Sequence, residues 1–466
     1  NTAVGTAALH ENYSSSYLVA IGDSALYSNT TGTNNTAIGS SALFSNTIGY
    51  ENVAVGIQAL YYNGVGASLP HHANLNTAVG SQALVSNTTG YQNTAVGAES
   101  LPYCTTGYDN IAVGAGSLFY NTTGYKNIAI GTGSLRDNTT GYENTATGDG
   151  AMFKTTTGKW NTANGVFALY SNTTGESNTA IGDRALYYNT TASGNSACGH
   201  LALNKNTDGH SNTGTGAQAL YFNTTGDGNT AAGTFALNNN TTGDGNAGFG
   251  YDALVNNTTG SNNTAVGRDA TFIADNLSNT SCLGYMSGGI GNASNRIEIG
   301  NTSVSFIGGQ VTWSTYSDAR IKTQVQENVP GLSFITRLRP VTYHLDIHKQ
   351  NEMCYRGKKE EGDWESKYDI EKKQMTGFIA QEVEQAALAA GYDFSGVEKG
   401  SDEVGMYSVR YASFVVPLVK AVQEQQALIE ALKAENESLR AASETQAAQL
   451  HKISAALLNA GISLER

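Results

Sequence analysis

The sequence predicts a mainly β fold: a parallel β-roll solenoid of 17-residue coils that associates into an oligomer, then an α+β domain ending in a coiled coil. Three observations predict it. A glycine-marked repeat runs through the first 290 or so residues without losing phase. Charge density changes near residue 316: residues 1–316 hold 8 Lys/Arg and 17 Asp/Glu, whereas 317–466 hold 18 and 22. The last stretch, 422–466, carries a heptad. The predicted boundaries are 1–289 for the roll, 290–316 for a β-rich neck, 317–421 for the α+β domain and 422–466 for the coil.

The repeat is marked by the Gly that closes each Asn-Thr-Ala-Val-Gly-like string, from Gly5, Gly22 and Gly39 to Gly267 and Gly284. Every step is 17 residues except Gly56 to Gly80, which is 24. Seventeen residues are too few for a helical-hairpin or leucine-rich unit, and the unit is too rich in Gly, Asn and Thr for helix. It holds two short apolar patches, Ala-Val and Ala-Leu, each followed by a turn signal. Two short strands and two turns per coil are therefore expected. With coils about 4.8 Å apart, the stack is roughly 80 Å long.

The columns have physical reasons. Asn stands four before the Gly in 15 of 17 units, as at Asn35, Asn93 and Asn178, where stacked amides can bond from coil to coil. Ala stands two before the Gly (Ala37, Ala95, Ala129), since a narrow interior admits little else. Val or Ile follows it (Ile38, Val96, Ile130) and strand alternation turns that column the other way. Leu lies four after the Gly (Leu26, Leu84, Leu186). A thin roll cannot bury all three columns, so one apolar stripe is left over, and a long exposed stripe marks an interface. Hence the expected oligomer. These Asn-Thr-Ala-Val-Gly units resemble the head repeats of YadA-like trimeric autotransporter adhesins over about 1–290. The resemblance implies a trimer of left-handed rolls and a surface-binding role.

Candidate binding residues lie on the roll. Tyr follows the turn Gly at Tyr50, Tyr91, Tyr108, Tyr125 and Tyr142. A second aromatic column lies five after the strand Gly, at Tyr27, Phe44, Tyr61, Phe119, Phe153, Tyr170, Tyr187 and Tyr221. Such rings can offer flat apolar faces and hydroxyls to a sugar, or serve only as a ladder that holds the stack. The insertion Gly64–Ala73 breaks the register once, and inserts in solenoids map to surface loops. Its His71 and His72 are binding candidates with Tyr91, Tyr108, Tyr125 and Tyr142. The sequon-like Asn-Thr-Thr at Asn87, Asn121 and Asn138 is explained by turn chemistry. Cys104, Cys198, Cys282 and Cys354 share no metal-ligand spacing and read as small semi-buried side chains. No cofactor or metal site is expected.

From Ser317 the text changes to Ser-Asp-Ala-Arg-Ile-Lys, ending at Lys322, then Leu338-Arg339-Pro340-Val341-Thr342-Tyr343, then Gly377-Phe378-Ile379-Ala380-Gln381-Glu382-Val383. A Ser hydroxyl needs a base to act as nucleophile, and Ser-Lys pairs are one known solution. The three motifs in this order resemble the endosialidase-type intramolecular chaperone domain that ends phage tail spikes and fibres. The resemblance implies a trimeric folding clamp that cuts itself off. Ser317 is then the nucleophile and Lys322 the general base, with Asp318 and Arg320 in support and the cut next to Tyr316. Attack on the Tyr316 carbonyl passes through a five-membered ring, which favours Tyr316–Ser317. Ser317–Asp318 stays open. Finally, Val422, Gln425, Ile429, Leu432, Asn436, Leu439, Ser443, Gln446, Leu450, Ile453 and Leu457 alternate spacings of 3 and 4, as a left-handed coiled coil requires.

The expected function is therefore a homotrimeric fibre-tip adhesin outside the cell, on a surface, secreted or on a virion, that binds a surface glycan or glycoprotein. Its only enzymatic activity is self-cleavage. A purely structural shaft is the alternative, and a glycan-degrading tail spike a further one. The latter needs paired carboxylates about 5 to 9.5 Å apart in a cleft, and the roll has few acids and no large inserted domain. A net charge of −13 argues against nucleic acid. No run of about 18 apolar residues exists to span a membrane as a helix.

Overall fold

The computed structural model describes residues 1–462 except 70, 273, 290–292, 311–312, 356–365 and 401–404. The chain divides into two units, Asn1–Asn301 and Thr302–Arg466. The fold is mostly β: a parallel solenoid of seventeen coils, then a small α+β unit with a long C-terminal helix.

In the first unit each coil contributes one short strand. Among the described residues eighteen strands, β1 (Thr2–Val4) to β18 (Arg296–Ile299), form one parallel sheet in sequence order. Ala20 lies opposite Ala37 and Ala37 opposite Ala54. The insertion leaves the register intact, with Ala54 opposite Ala78.

The second strand expected through the Ala-Leu patch is a turn instead. Ser41 and Leu43 have φ of 58° and 51°, left-handed values that an extended strand cannot hold. Leu43 is still fully buried. That conformation is worst for β-branched side chains. The left-handed residues of this column are Leu or Met152, save Gly288, and none is Val or Ile.

The core is the Ala column and the Leu column, illustrated by Ala37, Leu43, Ala54 and Leu60, each 0% exposed. The stripe left over is Val/Ile: Ile21, Ile38, Val79, Ile130 and Ile181 keep 36–43% exposure. The Gly that ends each strand is required twice over. Gly131 has φ of 133°, and a Cβ there would meet the Gly148 carbonyl oxygen at 2.4 Å.

Two amide ladders hold the stack. In the first, Asn52 donates to Asn35 Oδ1 from its backbone N–H at 2.9 Å and from its side chain at 3.2 Å. The Asn35 amide in turn donates to the Gly49 carbonyl at 2.7 Å. Further along, Asn93 meets Asn76, Asn127 meets Asn110 and Asn161 meets Asn144 in the same way. The second ladder lies seven after the strand Gly, in the stretch read only as a turn: Asn46 donates to Asn29 Oδ1 at 2.9 Å and to the Gly49 carbonyl at 2.9 Å. Asn87, Asn121 and Asn138 belong to it and are 0% exposed, so the sequon-like strings present no accessible amide.

Between Asn29 and Asn257 this second ladder has two faults. Cys104 and Thr155 stand in for Asn. Asn87 Oδ1, Asn138 Oδ1 and Thr155 Oγ1 are buried without a hydrogen-bond partner. Cys104 and Cys282 are buried and Cys198 is exposed, being in the outward column. The Cys354 side chain lies outside the described residues.

The stretch expected as a β-rich neck begins with β18, which pairs with the strand Thr280–Leu283 as a last rung. Residues 304–310 and 313–316 form neither helix nor strand.

The second unit runs α1 (Leu332–Ile335), β19 (Val341–Tyr343), α2 (Ile347–Tyr355), β20 (Met375–Gly377), α3 (Ala380–Ala389), β21 (Val397–Lys399), β22 (Tyr407–Val409) and α4 (Val415–Asn459). The pairs β19–β20 and β21–β22 are antiparallel. Phe334, Val383, Ala387, Phe394 and Phe414 form its core. The heptad lies within α4, and its apolar seam is open in the single chain: Val422, Leu432 and Leu450 are 57–66% exposed. No helix among the described residues is long and apolar enough to cross a membrane.

Candidate functional site

The first candidate is the aromatic column with the insertion loop. Tyr91, Tyr108, Tyr125 and Tyr142 stack one per coil, with centroids 4.8–5.0 Å apart and planes within 5–6°. The insertion lies beside it: His71 meets Tyr91 edge-on at 5.4 Å, and His72 meets His71 at 4.8 Å. Pro70 lies outside the described residues. At the other end Trp160, shifted one position out of the Tyr register, meets Tyr142 at 5.8 Å and donates its indole N–H to Glu143. The loop and the column are thus one surface. Each inner ring has its faces covered by its neighbours, so what it presents is an edge and a hydroxyl. Burial pushes the Tyr91 and Tyr125 phenols up from their ordinary values, helped by the neighbouring tyrosines, and they stay protonated donors. No group of three or more His, Cys, Asp or Glu able to hold a metal occurs among the described residues.

The second candidate is built by one turn of 3₁₀ helix, Ala319–Ile321. Asp318 caps it, accepting from the Arg320 N–H at 2.8 Å. The Arg320 guanidinium folds back on the same carboxylate, Nη2 to Oδ2 at 2.7 Å and Nε to Oδ1 at 3.0 Å. That guanidinium holds the Asp318 carboxyl below its ordinary pKa. Lys322 closes the turn through its N–H to the Ala319 carbonyl, and its Nζ donates to Ser317 Oγ at 2.7 Å. The Ser-Asp-x-Arg-x-Lys spacing is therefore what one capped turn needs to bring residues five apart into contact. Ser317, Lys322 and Tyr316 are all exposed in the single chain.

The other two motifs meet in the same unit. Leu-Arg-Pro-Val-Thr-Tyr runs into β19, which pairs with β20 so that Val341 faces Gly377. Arg339 then reaches Glu382 on α3, Nε to Oε2 at 3.0 Å. A Cβ on Gly377 would strike the Tyr411 hydroxyl, which instead accepts from the Phe378 N–H at 3.1 Å. Three motifs separated in sequence thus belong to one small unit, two of them joined by an ion pair. Residues 317–392 match the family described as chaperone of endosialidase. No curated protein matches the chain. This match and the solenoid together fit a protein like a phage tail fibre.

The chaperone-of-endosialidase match opens on Ser317 and covers Lys322, both later motifs and α3. Support for that segment comes from beyond its end. Glu424 on α4 accepts from the Leu332 N–H at 2.7 Å at the start of α1, and Phe414 closes the core. Sequence reasoning missed Glu424, which looks like one more charge on a helix, and Trp160, which is out of register with the tyrosines.

Proposed function

We propose that the chain is a homotrimeric fibre protein that acts outside the cell. In this reading the solenoid binds a glycan or glycoprotein receptor, and the C-terminal module registers three chains and then cuts beside Ser317. The observation that carries it is the Ser317 Oγ to Lys322 Nζ hydrogen bond at 2.7 Å, at the first residue of the chaperone match.

The chemistry follows from those atoms. Ser317 Oγ attacks the Tyr316 carbonyl carbon while Lys322, in its neutral form, takes the hydroxyl proton. The C–N bond breaks, the proton passes to the departing Ser317 nitrogen, and an ester joins Tyr316 to Ser317 Oγ. Water then hydrolyses the ester, leaving a Tyr316 carboxylate and a free α-amine on Ser317. A lysine acts as base only where burial or nearby cations favour its neutral form. Lys322 is exposed in the single chain, so the step is assigned to the assembled trimer. Coupling the cut to assembly has a physical use. Every coil resembles its neighbours, so chains aligned only along the Val/Ile stripe can slip by a coil. An open α4 seam that joins three chains first sets the register, and cutting afterwards makes the fold kinetically irreversible.

A purely structural shaft is the second reading, favoured by the occupied ring faces of Tyr91 to Tyr142. Light scattering on the full chain tests the oligomer. Three chains per particle is the expected result, and a stable monomer refutes the stripe argument. Adherence of the labelled trimer to target cells separates the adhesin from the shaft, which predicts none.

A further inference from the structure

A second aromatic surface lies on the solenoid, away from the Tyr91 column. Its inner rings are five residues after the strand Gly and stack along the coils, as Phe153, Tyr170 and Tyr187 do at 5.0–5.2 Å. The next residue of the coil is often aromatic too. Tyr120, Tyr188 and Phe222 stand at 73–86° to the inner rings beside them. They keep 43–45% exposure. The outer rings thus form a half-exposed aromatic row along this corner. Exposed rings, here with the Tyr120 and Tyr188 hydroxyls, suit the apolar side of a sugar ring.

The same corner gathers positive charge in an acidic protein. Of the eight Lys/Arg in residues 1–316, three lie in these two columns. Arg136 takes a place among the inner rings, 5.0 Å from Phe153 and 5.4 Å from Tyr120. Lys154 lies over Tyr170, and Lys205 lies 4.4 Å from the centre of Tyr188. Over the coils of Gly97 to Gly216 the one acid in these columns is Asp137, beside Arg136. Arg136 and Lys205 are four coils apart, about 19 Å at the usual strand spacing.

We infer that this corner binds a carboxylated polysaccharide lying along the coil axis, with the outer rings under its sugars and Arg136, Lys154 and Lys205 at its carboxylates. This rests on the receptor-binding reading and names its chemistry and its place. Three cations in about 19 Å match a polymer with one charge every sugar or two. A nucleic-acid strand, with a charge on every nucleotide, is disfavoured by the protein's net charge of −13.

Biolayer interferometry on the full-length trimer tests it. The probes are hyaluronan, alginate and polygalacturonate, the carboxyl-reduced form of each, and a single-stranded oligonucleotide. At least one carboxylated polymer is expected to bind, with its reduced form at least tenfold weaker. Lys154→Gln with Lys205→Gln, and separately Tyr120→Ala with Tyr188→Ala, are each expected to cost tenfold or more. Tyr13→Ala, in the first coil, changes nothing. Unchanged thermal unfolding shows that the variants are folded. The inference is overturned if no carboxylated polymer binds, if reduced polymers bind as well, if the oligonucleotide binds as tightly, or if the variants bind like wild type. Cell adherence that survives these substitutions sinks this corner and leaves the receptor reading standing. Wild type that does not adhere at all sinks the receptor reading.

Discussion

Replacing Cys104 by Asn should stabilise the solenoid. In an intact part of the second ladder, Asn46 donates to the amide oxygen of Asn29 one coil earlier and to a Gly carbonyl in its own turn. At Cys104 that chain is cut. Asn87 Oδ1 has no partner, the Asn121 amide keeps its own-turn bond to the Gly124 carbonyl but across the coils meets only the sulfur at 3.9 Å, and burial pushes the thiol up to about 12. Asn fits the slot, because Asn87 and Asn121 occupy the same column fully buried. A regained buried hydrogen bond contributes about 1 kcal/mol, and satisfying an orphaned acceptor adds about 1 more. Some 2 kcal/mol corresponds to about thirtyfold in an opening equilibrium. Hydrogen exchange by mass spectrometry on the full chain should show peptides spanning 84–125 exchanging about thirtyfold more slowly. Cys104→Ser, which cannot bridge both neighbours, should not reproduce this. Unchanged or faster exchange in Cys104→Asn would refute the claim that the ladders hold the coils together.

Other consequences can be measured on the same protein. Gly131→Ala places a methyl 2.4 Å from the Gly148 carbonyl oxygen at φ of 133°; a loss above about 2 kcal/mol is expected. Gly116→Ala, with φ of 62° and its nearest neighbour a ring carbon at 4.0 Å, should cost about 1 kcal/mol. Leu118→Ile keeps the volume but puts a β-branched residue at φ of 49°, so thermal unfolding should fall by the equivalent of about 1–2 kcal/mol. Asp318 is held low by Arg320, so its turn gains stability above the ordinary carboxylate pKa. That gain is lost as pH falls through the lowered one. NMR titration should show the low value, and Arg320→Ala should return it upward.

The repeat made the solenoid legible because its constraints are strict and local. A Gly forced by both φ and space, as at Gly131, recurs wherever a strand ends, and an Ala facing Ala cannot grow. The second strand was misread because Ala-Leu looks extended by its apolarity alone. Only φ shows that Leu43 is buried from a turn. The second amide ladder hid inside Asn-Thr-Thr-Gly for the opposite reason: the residues that favour a turn are also those that stack as amides. In the C-terminal unit the spacing of Ser317 and Lys322 carried their contact, since one capped turn closes it. Contacts such as Leu332 with Glu424 span 92 residues and leave no local trace. The outer aromatic column was obscured because Asp137, Lys154, Ser171 and Lys205 interrupt it. Those cations and rings read as one surface only once the coils are stacked.

The account turns on whether the chain cuts itself beside Ser317. Intact-mass spectrometry of freshly folded full-length protein, beside Ser317→Ala, is the direct measurement. The predicted result is two products in wild type, the second beginning with Ser317, and a single uncut chain in the variant. A wild-type mass that stays whole after prolonged incubation of the trimer would contradict it.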